Sequence, residues 1–404
     1  MFHPSIIQKR LDRQVAVIRE SNPAFEPRPL SIPTATQWVT HLGTEPRTLD
    51  AQEVDVILSE STLCKADFRY WAERYGYIKG KLGERERVVF MESQEIIMEK
   101  VAELELAAMT GKRADGILIQ ILKARQLGAS TFAELVMAHR AFFYGNLFGL
   151  VAGDVPEQSA YLFDMLERIY TNLPWWMRPT KTNHVKDYEM FFGQVDSLIR
   201  VGAGKSTRGG FNAEQGRGQL GRGKTINLFH GSELSTWDEP TQIDAAVEPA
   251  IPISPRSFGF LESTARGQDN WWHKTWLSSV KGLGRWTPVF IPWYAETRTY
   301  RRPAPEGWEP LPITKAHAEK AERLSPIWCG KVIRLDREQL YWWERSYLAA
   351  KEKRTLHIYL AEYCADPDEA FTSMEGSVFP GDLLYDMQQQ AKPLTAVIDI
   401  GMTL

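Results

Sequence analysis

What this 404-residue chain lacks narrows its class before any motif is considered. It has no run of about twenty apolar residues, the length that crosses a bilayer core, so no membrane span is expected. Its opening, MFHPSIIQKRLDRQ, has no long apolar segment of the kind a secretory leader needs, and a soluble protein inside the cell is the expectation. Cysteine is scarce: Cys64, Cys329 and Cys364 lie far apart and form no CxxC pair, which argues against a disulfide framework and a cysteine zinc site. Reduced, packed thiols are expected instead. An excess of positive charge is missing too. The 48 Lys and Arg stand against 51 Asp and Glu, a net charge of −3, whereas a dedicated DNA-binding domain is usually strongly basic. Any contact with a polyanion must therefore be local.

With 43% hydrophobic and 25% charged residues, the chain is globular and long enough for a large core with one or two satellites. One basic stretch is conspicuous: Arg200, Lys205, Arg208, Arg217, Arg222 and Lys224 are set among glycines, with Glu214 as the counter-charge. The first forty-odd residues, with SNPAFEPRPLSIPTATQ, imply a tail or strap over residues 1–50. From Asp50 to about Gly111 apolar residues recur at three and four, a helical lead-in. Gly116 to Ala124, GILIQILKA, is a buried-strand run, and FAELVMAHRAFFYG after it is amphipathic-helical, so Lys123 to Ser130 is a strand-to-helix junction. Further strands are expected at Leu147–Ala152, Thr225–Phe229 and Phe258–Glu262, with a helix over Glu157–Asn172 and a hairpin over Met190–Val201. Strands alternating with helices imply an α/β fold with a mainly parallel sheet, whose ligand site lies at the carboxyl ends of the strands. After Pro288 the text turns rich in Trp and Pro, implying a small irregular subdomain, followed by a helix over Asp336–Lys353. A last apolar strand, LTAVIDI with Asp399, implies that another domain begins there and that the sequence continues beyond Leu404.

Two stretches compete for a phosphate loop. Such a loop wraps phosphates in backbone N–H groups at a helix amino terminus, with a lysine and a hydroxyl for the γ-phosphate and Mg²⁺, so it needs a strand before and a helix after. GAGKST, Gly202 to Thr207, has the letters, but Ile199 occupies its first glycine position. The RGGFNAEQGRGQLGRG that follows is too rich in glycine to start a helix, each interior Gly costing about 1 kcal/mol relative to Ala. KARQLGAST has the context instead: Lys123 sits at the first glycine position, Gly128 at the last, Ala129 where the lysine is usual and Ser130 at the hydroxyl. Lys123 or Arg125, reaching back over the phosphates, can replace the missing lysine. Further on, INLFHGSELSTW places Glu233 just past a buried strand, where it would polarise an attacking water. LESTARGQDNWWH gives another polar strand end. Three polar strand ends in this order point to an additional-strand (ASCE-type) P-loop ATPase.

These residues resemble the large terminase subunits of tailed bacteriophages and prophages, from about Phe68 to Thr403. FRYWAERYGYI, KARQLGAST, HGSEL with Trp237, ESTARGQDNWWH, IPWY and EYCADPDEAF...SVFP carry the resemblance. It implies an ATPase domain over 51–300, a linker or lid over 301–390 and the first strand of an RNase H-like nuclease over 391–404, with Asp399 as a metal ligand. It implies that Lys123, Arg125, Gln126, Gly128 and Ala129 surround the phosphates of ATP. Ser130, with Thr131 as substitute, would hold Mg²⁺, and Glu233 would be the catalytic carboxylate. Arg125 would also stabilise transition-state charge, Ser263 and Thr264 would couple hydrolysis to motion, and Gln94 would read the adenine edge. The activity implied is ATP-driven translocation of double-stranded DNA into a procapsid. The partners implied are a portal protein, a small terminase subunit and further copies in a ring, a pentamer by resemblance, in the host cytoplasm and at the portal vertex. Cleavage would need a complete nuclease domain with its own Mg²⁺ or Mn²⁺.

Two positions depart from the pattern: Ala129 replaces a lysine, and Ser232 stands where an aspartate usually positions Mg²⁺. A different ASCE motor such as a helicase, or a nucleotide-binding module that no longer hydrolyses, therefore stays open. His230 and the Trp271–Trp272 pair read first as packing residues. In this frame GAGKST opens a basic loop, whose Lys205, Arg208, Arg217 and Arg222 would grip DNA phosphates or reach a neighbour's ATP.

Overall fold

The computed structural model describes residues 2–80, 82–182, 188–203 and 225–371. Two helices open it, α1 (Pro4–Arg19) and α2 (Ile32–Leu42), where the proline-rich sequence implied a tail or strap. Each has its proline in the first turn, behind a capping side chain from His3 or Ser31, so these prolines start helices instead of preventing them. The segment nevertheless straps the core. Phe2 is buried against Phe68, Phe132 and Phe258, and the N–H groups of Phe2 and His3 donate to Glu105. The expected helical lead-in follows as α3 (Ala51–Ala66), α4 (Phe68–Tyr75) and α5 (Glu92–Met109), interrupted by the small hairpin β1 (Tyr77–Lys79) and β2 (Arg85–Arg87).

Strands and helices then alternate. β3 (Ile117–Lys123) leads into α6 (Ala129–Phe143), and β4 (Phe148–Gly153) into α7 (Pro156–Thr171). Next come β5 (Lys181–Thr182), β6 (Glu189–Phe192) and β7 (Ser197–Ala203), then β8 (Leu228–Ser232), the single turn α8 (Glu248–Ala250), β9 (Phe258–Ser263), α9 (Trp271–Val280) and β10 (Thr287–Ile291). β8 starts at Leu228, not Thr225, and runs on through His230, Gly231 and Ser232 because these polar residues pair with β9 and β4. Every residue of β3 is buried, the mark of a central strand covered on both faces.

The strands form one eight-stranded sheet in the order β10-β3-β9-β8-β4-β7-β6-β5. All neighbours from β10 to β7 are parallel, while β5 and β6 add an antiparallel edge. β9 is the additional strand inserted between β3 and β8, so the fold is α/β of the ASCE type. Register brings Ile121 opposite Glu262 and Ser232 opposite Glu262, which aligns the carboxyl ends of β3, β9 and β8 at one edge.

Residues 292–311 hold little regular structure beyond a 3-10 turn at Trp293–Ala295. Helices α10 (Pro312–Cys329), α11 (Arg337–Glu352), α12 (Leu356–Glu362) and α13 (Pro367–Phe371) complete the described chain. α11 fits its expected span, capped by Asp336 and Gln339 in a reciprocal box. Its Trp343 stacks on His317 of α10, which stacks in turn on Trp293. The cysteines are free and buried. Among the described residues no helix is long and apolar enough to cross a membrane.

Candidate active site

The junction KARQLGAST is a strand, a tight loop and a helix start, as its context implied. Gln126 and Gly128 both take positive φ, 56° and 70°, and Gly128 is the residue on which α6 begins. The loop is pinned from three sides. Ala124 N–H donates to Ile291 O at 2.8 Å, Arg125 N–H to Glu362 O at 2.9 Å, and the Ser93 hydroxyl to Leu127 O at 2.9 Å. The N–H groups of Ala129, Ser130 and Thr131 are first-turn donors that no helical carbonyl can satisfy, and with the helix dipole they make an anion-binding cradle.

Lys123, the last residue of β3, points its buried ammonium between two carboxylates: Glu262 Oε2 at 3.1 Å and Glu233 Oε1 at 3.4 Å. Burial alone would push this ammonium down, but Glu262 and Glu233 outweigh it and hold it above the ordinary lysine value. Glu233 follows β8 with φ 55°, a left-handed conformation rarely adopted by a non-glycine residue, and its side chain keeps 32% exposure. Burial raises its carboxyl above the usual range against the pull of Lys123. The Trp237 indole N–H donates to Ser232 O at 2.9 Å and fixes the strand end from which Glu233 projects.

Glu262, near the end of β9, is fully buried and gathers the remaining polar groups. Its Oε1 accepts from the Ser130 hydroxyl at 2.7 Å and from the Ser232 hydroxyl at 2.6 Å, and the His230 Nε2 lies 3.6 Å away. His230 also meets Glu134 of α6 through Nδ1 at 2.7 Å. Burial would lift the Glu262 carboxyl, yet Lys123, His230 and Ser232 together hold it well below the usual carboxylate range. Burial likewise disfavours a charged His230, but Glu134 and Glu262 raise it to about 9. His230 thus belongs to the polar centre of the sheet edge, not to generic packing.

A second cluster runs from the buried end of β9 to the surface. Arg125 is 60% exposed and pairs with Glu362 of α12 at 3.0 Å, and the Thr264 hydroxyl reaches the other Glu362 oxygen at 3.4 Å. The Ser263 hydroxyl touches Glu233 Oε2 at 3.4 Å and donates to Ser235 Oγ at 2.8 Å. Ser263 and Thr264 therefore connect the carboxylate after β8 to the loop after β3 and to the helical subdomain. Gln94 is buried, with its amide engaged by main chain: Nε2 donates to Gly128 O and Oε1 accepts from Met91 N–H. It clamps the loop here. Thr131 turns instead toward a small cavity of about 70 Å³ bordered by Tyr77, Lys79, Asp164 and Arg168. Ala129 is buried, and Gln126 is exposed at the loop tip.

Gly202 and Ala203 close β7, which β9, β8 and β4 separate from β3, so GAGKST starts away from this constellation. Lys205, Arg208, Arg217, Arg222 and Asp399 lie outside the described residues. Trp272 is packed in the core, whereas Trp271 donates to Asp244 at 2.6 Å.

Sequence alone does not single out Glu262, Glu134 or Glu362. The available signal for Glu262 is a lone carboxylate closing the otherwise apolar buried run FGFLE. Among the described residues no group of three or more His, Cys, Asp and Glu is arranged to hold a metal. The donors present, one hydroxyl and one carboxylate beside a phosphate cradle, nonetheless suit Mg²⁺, which keeps several waters and binds through one or two carboxylates together with substrate phosphates.

Among solved structures, the chain is similar in fold to phage large terminases. The chain is similar to the crystal structure of the HK97 bacteriophage large terminase, with a TM-score of 0.48 and 13% identity over 77% of this chain and 56% of that one. It therefore spans little more than half of that protein. It is also similar to the Thermus phage P74-26 large terminase ATPase domain, with a TM-score of 0.34 and 14% identity over 51% of this chain and 88% of that one. No protein-family model matches the chain, and no curated protein matches it.

Proposed function

We propose that this chain is the ATPase motor of a DNA-packaging machine, hydrolysing ATP to translocate double-stranded DNA. The observation that carries the reading is the placement of the Lys123 ammonium and the Ser130 hydroxyl at a strand-loop-helix junction, opposite Glu233 across an additional-strand sheet. Lys123 and the first-turn N–H groups of α6 hold the phosphates, and Arg125 lies at the mouth of the same loop. Lys123, not Arg125, replaces the lysine missing at Ala129: its ammonium is already at the carboxylates, while Arg125 is turned outward to Glu362. Ser130 holds the magnesium ion, which when bound neutralises phosphate charge during transfer. Glu233, raised by burial, accepts the proton of the attacking water. Ser263 contacts Glu233, and Thr264 with Glu362 relays a change there to the loop and the helical subdomain.

Double-stranded DNA, a portal protein, a small terminase subunit and neighbouring copies are the partners the sequence resemblance suggests. Lys205, Arg208, Arg217 and Arg222 are the proposed DNA-facing or trans-acting cations, and Asp399 the proposed first ligand of a nuclease metal. A DNA-stimulated ATPase assay tests the reading. Turnover should rise with duplex DNA and fall to background in Glu233→Ala, and a wild-type rate no higher than that of the variant would refute it.

A further inference from the structure

We propose that Glu262 is the carboxylate that positions magnesium, in place of the acid missing at Ser232. The inference rests on the ATPase reading and adds a residue to it. At the end of β8, the position before Glu233 holds Ser232, whose hydroxyl brings no charge. The register supplies one from the adjacent strand. Ser232 pairs with Glu262 across β8 and β9, and its hydroxyl donates to Glu262 Oε1 at 2.6 Å. The same oxygen accepts from Ser130, the hydroxyl of the phosphate loop, at 2.7 Å. One carboxylate oxygen thus touches both the loop hydroxyl and the residue at the vacated acid position.

The loop hydroxyl and the carboxylate are already neighbours: Ser130 Oγ donates to Glu262 Oε1 at 2.7 Å, so the two oxygens that would hold a magnesium ion lie together. Energetics point the same way. Burying an ionised carboxylate costs several kcal/mol even after relaxation, and an apolar residue would complete the run FGFL at no such cost. The protein keeps the charge and surrounds it with Lys123 at 3.1 Å and His230 at 3.6 Å, the latter oriented by Glu134. The hydroxyls of Ser130 and Ser232 orient the carboxylate, while Lys123 compensates its charge until it turns to the phosphates. Exchanging an acid between neighbouring strands is possible because paired residues share one sheet edge, about 4.8 Å apart.

The test measures Mn²⁺ binding by electron paramagnetic resonance, with ATP present, in the 404-residue chain, and ATP-analogue binding separately in EDTA. Glu262→Gln should weaken Mn²⁺ binding about 10- to 100-fold, a larger factor than its effect on analogue binding in EDTA. Glu262→Gln combined with Ser232→Asp should recover at least tenfold of the lost Mn²⁺ affinity, because the acid returns at the paired position. The double variant also carries the test if the single one is unstable. Wild-type Mn²⁺ affinity in Glu262→Gln, or a folded double variant without recovery, would overturn this role while leaving the ATPase reading intact. A wild-type chain that binds neither the analogue nor Mn²⁺ with ATP would overturn both.

Discussion

Lys123→Met isolates what the buried ammonium contributes to the folded state. Methionine nearly matches the length of lysine and removes only the charge, so the packing around β3 is kept. Glu262 is then left in a fully buried position facing a second carboxylate, with His230 as its remaining charged neighbour. Removing one partner of a buried ion pair typically costs about 3–5 kcal/mol, because the other charge loses its compensation. Glu233 adds less to this figure, because it lies farther from the ammonium, 3.4 Å against 3.1 Å for Glu262, and is only partly buried. The double variant Lys123→Met/Glu262→Gln removes the stranded charge as well. Ser130 and Ser232 can still donate to the glutamine oxygen, so the double variant should recover about 2–4 kcal/mol relative to the single one. Urea denaturation of nucleotide-free protein, followed by tryptophan fluorescence, measures both changes, and the non-additivity of the cycle is the quantity of interest. Strictly additive effects, or a Lys123→Met variant within about 1 kcal/mol of wild type, would show that the pair does not stabilise the site.

Three further outcomes are expected. Gly128→Ala forces a side chain into φ 70° and brings Cβ to 2.8 Å from Gln94 Nε2, so it should cost about 1–3 kcal/mol and weaken ATP-analogue binding at least tenfold. Adding Gln94→Ala should relieve the clash but not the backbone strain, as calorimetric melting would report. Arg125→Ala removes a largely exposed ion pair and should change stability by less than about 1 kcal/mol, yet lower steady-state turnover about 100-fold if the side chain meets the transferred phosphate; unchanged turnover would refute that role. His139 and His317 are buried and neutral, each pushed by burial from 6.5 to about 3. The unfolded chain binds their protons first as pH falls below 6.5, so stability is present above that value and lost progressively toward pH 3. At pH 5 each should cost about 2 kcal/mol, and urea midpoints at pH 7 and pH 5 for wild type and His317→Phe would reveal a smaller acid loss in the variant.

The elements legible in the sequence are those whose burial is uniform. β3 reads as ILIQILK because both its faces are covered, and α11 reads from its caps at Asp336 and Lys353. β8 reads less well, since its last residues, His230, Gly231 and Ser232, look like loop until the neighbouring strands that pair with them are in place. The helices α1 and α2 are obscured by prolines that stop a helix in the middle but open one in the first turn. In the site, residues adjacent in sequence to recognisable letters were legible: Lys123, Ser130 and Glu233 each sit within a motif. Glu362 was not, because its link to Arg125 and Thr264 spans far-separated segments and depends on how α12 docks.

The two departures from the usual pattern then become one kind of event. A triphosphate site needs a cation over the phosphates, an acid for the metal and a base for water, and electrostatics fixes where those charges stand, not which residue number carries them. In the proposed site the cation stands at Lys123, at the end of the strand, and not at Ala129, at the start of the helix that follows. The proposed acid stands at Glu262, on the strand paired with the one that ends in Ser232. Both charges lie at the same edge of the sheet, where the Ser232 hydroxyl donates to Glu262 and Lys123 pairs with it. Lys123 and Glu262 bring opposite charges within 3.1 Å in a buried site. Because a non-hydrolysing switch would use the same pair to hold nucleotide and metal, turnover measured against Glu233→Ala is what separates the two readings.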